Sequence, residues 1–323
     1  MKKYFTAVIL AVFWILSITP VLRVFADEDG QVGLKVTPVS ERVQLNSGET
    51  IDKEITVVNQ NDADTKIRVY AAPYSVEGVD YSPNFSNDTV RNQIVRWIEF
   101  DSEEGKVVDD DGVTKYEFPA PSQTEVKVSY SINVPDDAPD GGQYAVIFIE
   151  SVNDENSSQG TSGISAVYRI GVIILANING VTRDGAEIIS TSFPFFYTSG
   201  DRRIIYGEAT VKNTGNTDFP FTQTLKVSTI FGRELFNDSR SLEVFPETER
   251  TNRIEFADTP MIGIFKASYS VIILDQVQEK EQIVIVVPTF VLIILLVLLT
   301  IVIVWLIIFL RKRKMARAKT ANQ

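Results

Sequence analysis

The side chains available for chemistry in this sequence are restricted, because its 323 residues include no histidine and no cysteine. Without them the chain has no Ser-His-Asp triad, no thiolate nucleophile and no imidazole or thiolate ligand for a zinc site of the usual kind. A glycan hydrolase that works through two carboxylates about 5 to 10 Å apart stays open. No motif places such a pair, so the sequence predicts no enzyme, no catalytic residue and no cofactor.

Two acidic segments have the composition of a cation site. Residues 101–112 carry six carboxylates, and Asp136, Asp137 and Asp140 stand beside two prolines. Carboxylate oxygens of this kind can hold Ca²⁺. The ligand spacing of an EF-hand is absent, however, and Asp-Gly and Pro-Asp sequences are typical of solvated turns. We expect turns here rather than metal sites.

Two sets of aromatic residues are the other candidates for binding: Tyr70, Tyr74, Tyr81 and Phe85 in one, and Phe193, Phe195, Phe196 and Tyr197 in the other. The first set could stack on saccharide rings, although core packing explains it as well. The second set is nearly contiguous, so its members cannot all enter one core if the segment is a strand. Either some of them are exposed for an interdomain or partner contact, or the strand is buried on both faces.

The elements that must position these side chains are β-strands, because apolar residues recur with a period of two. Residues 125–134 place five apolar side chains on one face and polar ones on the other. Similar or denser patterns predict strands at 53–59, 65–70, 144–149, 170–178, 225–231 and 265–271, with Gly-, Asn- and Asp-rich turns between them. Residues 88–98 stay open as a short helix.

The polar segment 180–185 divides this pattern into two parts. The sequence therefore predicts an all-β fold in which two immunoglobulin-like β-sandwich domains, residues 27–182 and 183–280, follow in tandem.

A transmembrane helix is predicted after the second domain. Residues 283–310 are predominantly apolar and contain no charged residue, and Arg311, Lys312, Arg313 and Lys314 follow them. This run is long enough to span a hydrocarbon core of roughly 30 Å, and the basic cluster marks its end as cytoplasmic. The basic tail, residues 311–323, is too short to bury a core of its own.

The amino-terminal segment indicates the same topology. Lys2 and Lys3 precede an apolar stretch, and the pattern of residues 1–26 is that of a secretory signal peptide, with an uncleaved membrane anchor as the alternative. Either segment places the two domains outside the cell membrane, and with the signal peptide removed the chain crosses that membrane once.

Composition narrows the compartment and the partners. An exported chain without cysteine is typical of bacteria rather than of a disulfide-forming secretory pathway. When Lys2, Lys3, Arg23 and the six basic residues of the tail are set aside, 22 of the 31 Lys and Arg remain against 42 Asp and Glu. A net charge of about −20 on the ectodomain repels nucleic acid. We therefore expect no nucleic-acid partner.

Three motifs of the first domain carry a family resemblance: LNSGET at 45–50, VPDDAPDGGQY at 134–144 and YRIGVIIL at 168–175. In this order they resemble the amino-terminal domain of WxL-interacting proteins of Gram-positive bacteria. The resemblance implies a signal peptide, two immunoglobulin-like domains, one transmembrane helix and a short basic tail. It also implies that the first domain contacts peptidoglycan and that the second contacts surface proteins or host ligands.

The second domain departs from that family. VKNTGNT at 211–217 and FPETER at 245–250 resemble generic bacterial immunoglobulin-like modules. A structural role explains these motifs: Asn213 and Asn216 favour a turn, Gly215 can take a positive φ, and Pro246 can end a strand.

Three functions are then in competition. The leading one is a membrane-anchored bacterial surface protein that binds cell-wall peptidoglycan or surface proteins without catalysis. The alternative is an exported assembly chaperone or scaffold that pairs through a sheet edge. The third is the carboxylate-dependent glycan hydrolase. The sequence identifies no binding residue for any of them.

Overall fold

The computed structural model describes residues 33–101, 106–108, 113–152, 169–199 and 204–320. These residues form twenty strands, a 3-10 helix (Gln93–Arg96) and one α-helix, α1 (Thr289–Thr320). The predicted signal peptide, most of the acidic segment 101–112 and the last three residues of the tail lie outside the described residues.

The first half of the chain forms a sandwich of two sheets. Its strands are β1 (Leu34–Thr37), β2 (Ser40–Leu45), β3 (Thr50–Asn59), β4 (Thr65–Pro73), β5 (Ser75–Glu77), β6 (Ser82–Asn84), β7 (Ile98–Phe100), β8 (Lys106–Val108), β9 (Thr114–Ala120), β10 (Glu125–Asn133), β11 (Gly141–Val152) and β12 (Arg169–Ile178). A four-stranded sheet has the order β1-β3-β10-β7, and a six-stranded sheet has the order β2-β12-β11-β4-β9-β8. β5 and β6 form a separate hairpin.

The second half repeats this architecture with eight strands. They are β13 (Ala186–Ser192), β14 (Phe196–Ser199), β15 (Ile205–Asn213), β16 (Phe219–Thr229), β17 (Glu234–Val244), β18 (Glu249–Phe256), β19 (Gly263–Ile273) and β20 (Gln276–Pro288). The sheets have the orders β13-β15-β18 and β14-β20-β19-β16-β17. The segment 180–185 lies between β12 and β13.

Alternation along the strands explains both cores. In β10, Val128, Tyr130 and Ile132 are buried, and the residues between them are more exposed. Successive side chains of a strand point to opposite faces, so one face packs against the other sheet. The core of the first sandwich accordingly contains residues of both its sheets, for example Val57 of the four-stranded sheet and Ile147 of the six-stranded sheet.

The predicted start of the transmembrane helix at Ile283 is wrong. Residues 283–288 are the end of β20, which pairs with β19, and the second sandwich therefore extends to Pro288 rather than to residue 280. Val284 and Val286 are buried in the core, and Ile283 is 60% exposed. The boundary was not recognised in the sequence because a strand and a membrane helix, both rich in Ile and Val, adjoin without a charged residue between them.

Helix α1 follows β20 without a linker. Its segment Thr289–Arg311 has 23 residues and, of the helices that the structure describes, is the one long and apolar enough to cross a membrane. At 1.5 Å per residue it measures about 35 Å, which exceeds a hydrocarbon core of roughly 30 Å.

The open question at residues 88–98 is answered by the 3-10 helix Gln93–Arg96. Ile94 of this turn is fully buried in the first core. One turn is enough to place it there, because the segment then continues directly into β7.

Candidate binding site

A recess of about 520 Å³ opens on the first sandwich. Its walls come from β4, β7, β9, β11 and the first residue of β12, together with Val95 of the 3-10 helix and Phe85 and Val113 from the connections. Part of its lining, including Tyr70 and Phe148, lies on the outer face of the six-stranded sheet, opposite core residues such as Ile147. The rest of its lining includes Ile98, Phe100 and Tyr116 of the first core, so the recess reaches from the outer face of that sheet to β7 of the four-stranded sheet.

An aromatic cluster forms the floor of this recess. Tyr70 of β4 and Phe148 of β11 are cross-strand partners with ring centroids 5.5 Å apart. The ring of Phe85 meets Phe148 edge-on at 5.1 Å. Tyr70 and Phe148 are 4% and 6% exposed, whereas Phe85 is 41% exposed. Phe85 therefore presents aromatic surface to a ligand, and the other two rings support it.

A charged network borders these rings. Glu150 accepts a hydrogen bond of 2.7 Å from the Tyr70 hydroxyl and forms ion pairs with Arg169 Nε at 2.8 Å and Lys115 Nζ at 3.6 Å. The Arg169 guanidinium also donates to the Tyr70 hydroxyl and lies 4.2 Å from the centroid of Phe148. Burial raises the pKa of Tyr70, so its hydroxyl stays protonated as a donor at neutral pH.

The charged residues that line the recess are cationic. Its lining residues include two cations, Lys115 and Arg169, and no carboxylate. The two facing carboxylates that a glycosidase needs are therefore not among the described residues of this wall. Together with Glu150, the two cations give the cluster a charge of +1 on a chain of net charge −11.

The first predicted aromatic set does not form one platform. Tyr70 and Phe85 lie at the recess, but Tyr81 is buried against the second sandwich, where its ring stacks on Phe245 at 5.9 Å. Tyr74 lies between the two groups, 6.1 Å from Phe85 and 5.7 Å from Phe245. Packing between the sandwiches thus accounts for Tyr81 and, in part, for Tyr74, and packing against Phe148 accounts for Tyr70, which leaves Phe85 as the exposed member of the set.

The junction between the sandwiches is polar as well as aromatic. The hydroxyl of Tyr144 in β11 donates to Asp218 Oδ1 at 2.9 Å, and Arg42 of β2 pairs with Asp218 Oδ2 at 2.6 Å. The backbone N–H of Thr251 donates to Val79 O at 2.7 Å. Burial raises the pKa of Tyr144, and the neighbouring Asp218 carboxylate raises it further. These contacts fix the two sandwiches to each other.

The second aromatic set is divided between core and surface. Phe193 and Tyr197 are buried, while Phe195 and Phe196 are 63% and 38% exposed. The prediction that they cannot all enter one core is confirmed, and the doubly buried strand is excluded.

The acidic turn near residue 140 serves the backbone. One Asp140 carboxylate oxygen accepts the N–H of Val181 at 2.9 Å. Gly48, with φ of +76°, leaves room for the carboxylate of Asp136. The described residues contain no group of three or more acidic side chains able to hold a metal ion.

In the second sandwich, Asn213 forms the predicted turn, because its side-chain oxygen accepts the N–H of Gly215 at 2.7 Å. The positive φ that was expected at Gly215 is not found, so that expectation is wrong. A Cβ there would instead meet the Arg183 carbonyl oxygen at 2.2 Å.

The sequence did not single out Lys115, Phe148, Glu150 or Arg169. Phe148 and Glu150 sit two residues apart on β11 and therefore share its outer face, which is a detectable signal. Their partners on β4, β9 and β12 depend on strand pairing across long separations, which a single sequence does not reveal.

Comparisons with known proteins find fold likeness only. No family model matches the chain, and no curated protein matches it. The class 5 fimbriae chaperone CfaA is 8% identical, with 77% of this chain and 99% of that chain covered and a TM-score of 0.40. The CsuC–CsuE chaperone–subunit complex of Acinetobacter baumannii is 11% identical, covering 80% and 100%, at 0.37. The E. coli chaperone DraB is 12% identical, covering 78% and 98%, at 0.34. At scores this low, the likeness supports no inference about function.

Proposed function

We propose that this chain is a membrane-anchored, non-catalytic bacterial surface protein whose first sandwich binds a wall glycan in the recess at Phe85. The observation that carries the proposal is the half-exposed Phe85 ring beside the network of Tyr70, Glu150 and Arg169. A saccharide presents an apolar face to an aromatic ring and hydroxyl groups to charged neighbours. The recess offers both kinds of contact within one cavity.

The anchoring part of the proposal rests on the carboxyl-terminal helix. Thr289–Arg311 spans the membrane once, the basic tail is cytoplasmic, and two immunoglobulin-like sandwiches stand outside. The resemblance to WxL-interacting proteins makes a Gram-positive envelope the setting and peptidoglycan the first ligand to test. Because the sandwiches are in contact, the second one holds the recess away from the membrane surface.

Cosedimentation of the detergent-solubilised full chain with purified peptidoglycan tests the proposal. Phe85→Ala and Arg169→Gln are expected to reduce the bound fraction, Phe85→Ala by about threefold to tenfold. Phe195→Ala is the matched control, because it removes an exposed ring from the second sandwich and leaves the recess unchanged. Equal sedimentation of the Phe85 and Phe195 variants, or no sedimentation of the unmodified chain, would reject glycan binding at this site.

A second candidate function has its own support in the sheet. β2 pairs with β12 only from Ile173 to Ile178, so residues 169–172 have β11 on one side and no strand on the other within the described residues. An unpaired edge of this kind can accept a strand from a partner polypeptide. In that case the chain is an exported assembly scaffold.

Photo-crosslinking separates the two candidates. A crosslinker at Ile170, on the open edge, should capture a surface protein if strand addition is the function. A crosslinker at Val277, an exposed position of β20 in the other sandwich, is the control. Capture at Ile170 that survives Phe85→Ala would favour the scaffold over the glycan-binding protein.

A further inference from the structure

Exposed apolar side chains are concentrated at the end of the second sandwich where α1 begins. They are Phe195, Ile230, Phe231, Met261, Ile262 and Ile264, and we call them the rim. Phe231 is 92% exposed and the others are between 54% and 63% or, for Met261, 52%. Side chains of this size are rarely left in water together, so the rim needs a partner.

Strand register places the rim at the level of the helix start. In β19, Phe265 pairs with Thr229 of β16 and with Val284 of β20. β16 and β20 are both antiparallel to β19, so both run toward the same end of the sandwich. Ile230 and Phe231 continue beyond Thr229 in the direction that β20 follows from Val284 to Pro288. From Val284 to Pro288, β20 advances by four residues, or about 13 Å.

The other rim residues lie nearer still. Ile264 pairs with Ile285, and Gly263 pairs with Val286, so Met261 and Ile262 stand beside the last residues of β20. The carbonyl of Phe195 accepts the N–H of Ile285 at 2.8 Å. Helix α1 begins at Thr289 with no linker. The rim therefore surrounds the point at which the chain leaves the sandwich.

We infer that the rim inserts into the outer lipid interface of the membrane that α1 crosses, and this inference rests on the proposed membrane anchoring. The apolar segment of α1 is longer than the hydrocarbon core, so its first residues lie in the interface. A loop tip within about 10 Å of that level reaches the interface too. Because the rim adjoins the start of α1, the bilayer is the partner that covers it.

Insertion of the rim would fix the orientation of the ectodomain relative to the membrane. A single helix without a linker would let the ectodomain tilt, whereas a second apolar contact on the hairpin at Phe231 restricts that tilt. The first sandwich, which is joined to the second by the Tyr144–Asp218 contact, is then held in one orientation above the membrane.

Site-directed fluorescence in nanodiscs tests this inference on the full chain. The protein has no native cysteine, so Phe231→Cys, Val277→Cys and Phe290→Cys can each carry one environment-sensitive probe. Val277 is 64% exposed near the opposite end of β20, and Phe290 is the second residue of α1. Nitroxide-labelled lipid is the quencher. We expect the probes at 231 and 290 to be quenched at least threefold more than the probe at 277.

The outcomes separate the inference from its premise. Quenching at 290 with a water-like, unquenched probe at 231 would overturn rim insertion while leaving the anchor intact. No quenching at 290 would overturn the anchor and the rim together. A probe at 231 that is shielded from water yet not quenched by lipid would assign the rim to a protein partner and would also overturn insertion.

Discussion

Asn59 and Asn213 perform the same task in the two sandwiches. Each is fully buried at the last position of a strand, β3 or β15. The side-chain amide of Asn59 donates to the carbonyl of Ala120 at 2.8 Å, and that of Asn213 donates to the carbonyl of Val244 at 2.9 Å. Each side-chain oxygen accepts the backbone N–H two residues further on. One side chain thus links a turn to the end of a strand in the opposite sheet, β9 or β17.

The neighbouring turns repeat as well. Thr124 and Thr248 each accept a backbone hydrogen bond of 3.0 Å from the N–H of the asparagine, and each hydroxyl donates 2.8 Å to the carbonyl three residues earlier. The preceding residues, Gln123 and Glu247, have φ of +55° and +62°. The two sandwiches therefore share a corner as well as an architecture.

The buried asparagines yield the first prediction. Asn213→Ala should lower the free energy of unfolding by about 2 to 4 kcal/mol, because it leaves buried carbonyl groups and an N–H without partners. Asn59→Ala should have an effect of similar size in the first sandwich. Urea denaturation followed by circular dichroism measures both.

Asn237→Ala serves as the control, because Asn237 is exposed on β17 and should change the stability by less than about 0.5 kcal/mol. Equal effects at 213 and 237 would contradict the role assigned to the buried amide. Asn213→Asp should also be destabilising, since a carboxylate cannot donate to the Val244 carbonyl.

The strands were predictable because the apolar period of two records burial directly. Residues 125–134 and 170–178 were expected as strands, and the structure has Glu125–Asn133 and Arg169–Ile178. Segment 225–231 was expected as a strand, but β16 ends at Thr229 and Phe231 lies in the turn. The apolar pattern predicts burial only within a strand, and Phe231 is exposed because it lies at the tip of a turn. It is one of the rim residues described above.

The recess was not predictable in the same way. Tyr70 and Phe148 meet because β4 and β11 are adjacent in a sheet whose order departs from chain order. Nothing local to Tyr70 or Tyr81 distinguishes the ring that supports the recess from the ring that joins the sandwiches. The roles of Tyr70 and Tyr81 differ because Tyr70 packs against Phe148 of β11 and Tyr81 packs against Phe245 of the second sandwich.

The aromatic junction provides the second prediction. Phe245 is 9% exposed and contacts the rings of Tyr74, Tyr81 and Tyr144 from the first sandwich. Phe245→Ala should destabilise the junction by about 3 kcal/mol and let the sandwiches unfold separately. Calorimetry should then show two transitions instead of one, and small-angle scattering a broader distribution of shapes. Phe195→Ala, at an exposed ring, is the control, and a single sharp transition for both variants would contradict the prediction.

Alkaline pH should loosen the same junction. Burial raises the pKa of Tyr74, Tyr81 and Tyr144 in the folded chain, whereas unfolded tyrosine ionises near pH 10. The folded state therefore prefers the neutral phenols, and their contribution to stability is complete below about pH 10 and is lost as the pH rises above it. The free energy of unfolding should fall steeply above pH 10.

Tyr144→Phe should flatten that slope and should lower the stability at pH 7 by about 1 to 2 kcal/mol, because the bond to Asp218 is lost. An unchanged slope would contradict the assignment to Tyr144.

The orientation of α1 gives the last prediction. Arg311, Lys312, Arg313 and Lys314 follow the apolar segment, and basic residues are retained on the cytoplasmic side. Protease added to intact cells should therefore digest the two sandwiches and spare a tag placed after Gln323. Disruption of the cells before digestion should remove the tag, which shows that it is cleavable when it is accessible.

Replacement of the four basic residues by neutral ones should expose the tag in part of the population, because the charge bias that sets the orientation is weakened. A tag that intact cells lose as fast as disrupted cells do would place the carboxyl terminus outside and would leave the sandwiches on the cytoplasmic side, away from any wall polymer.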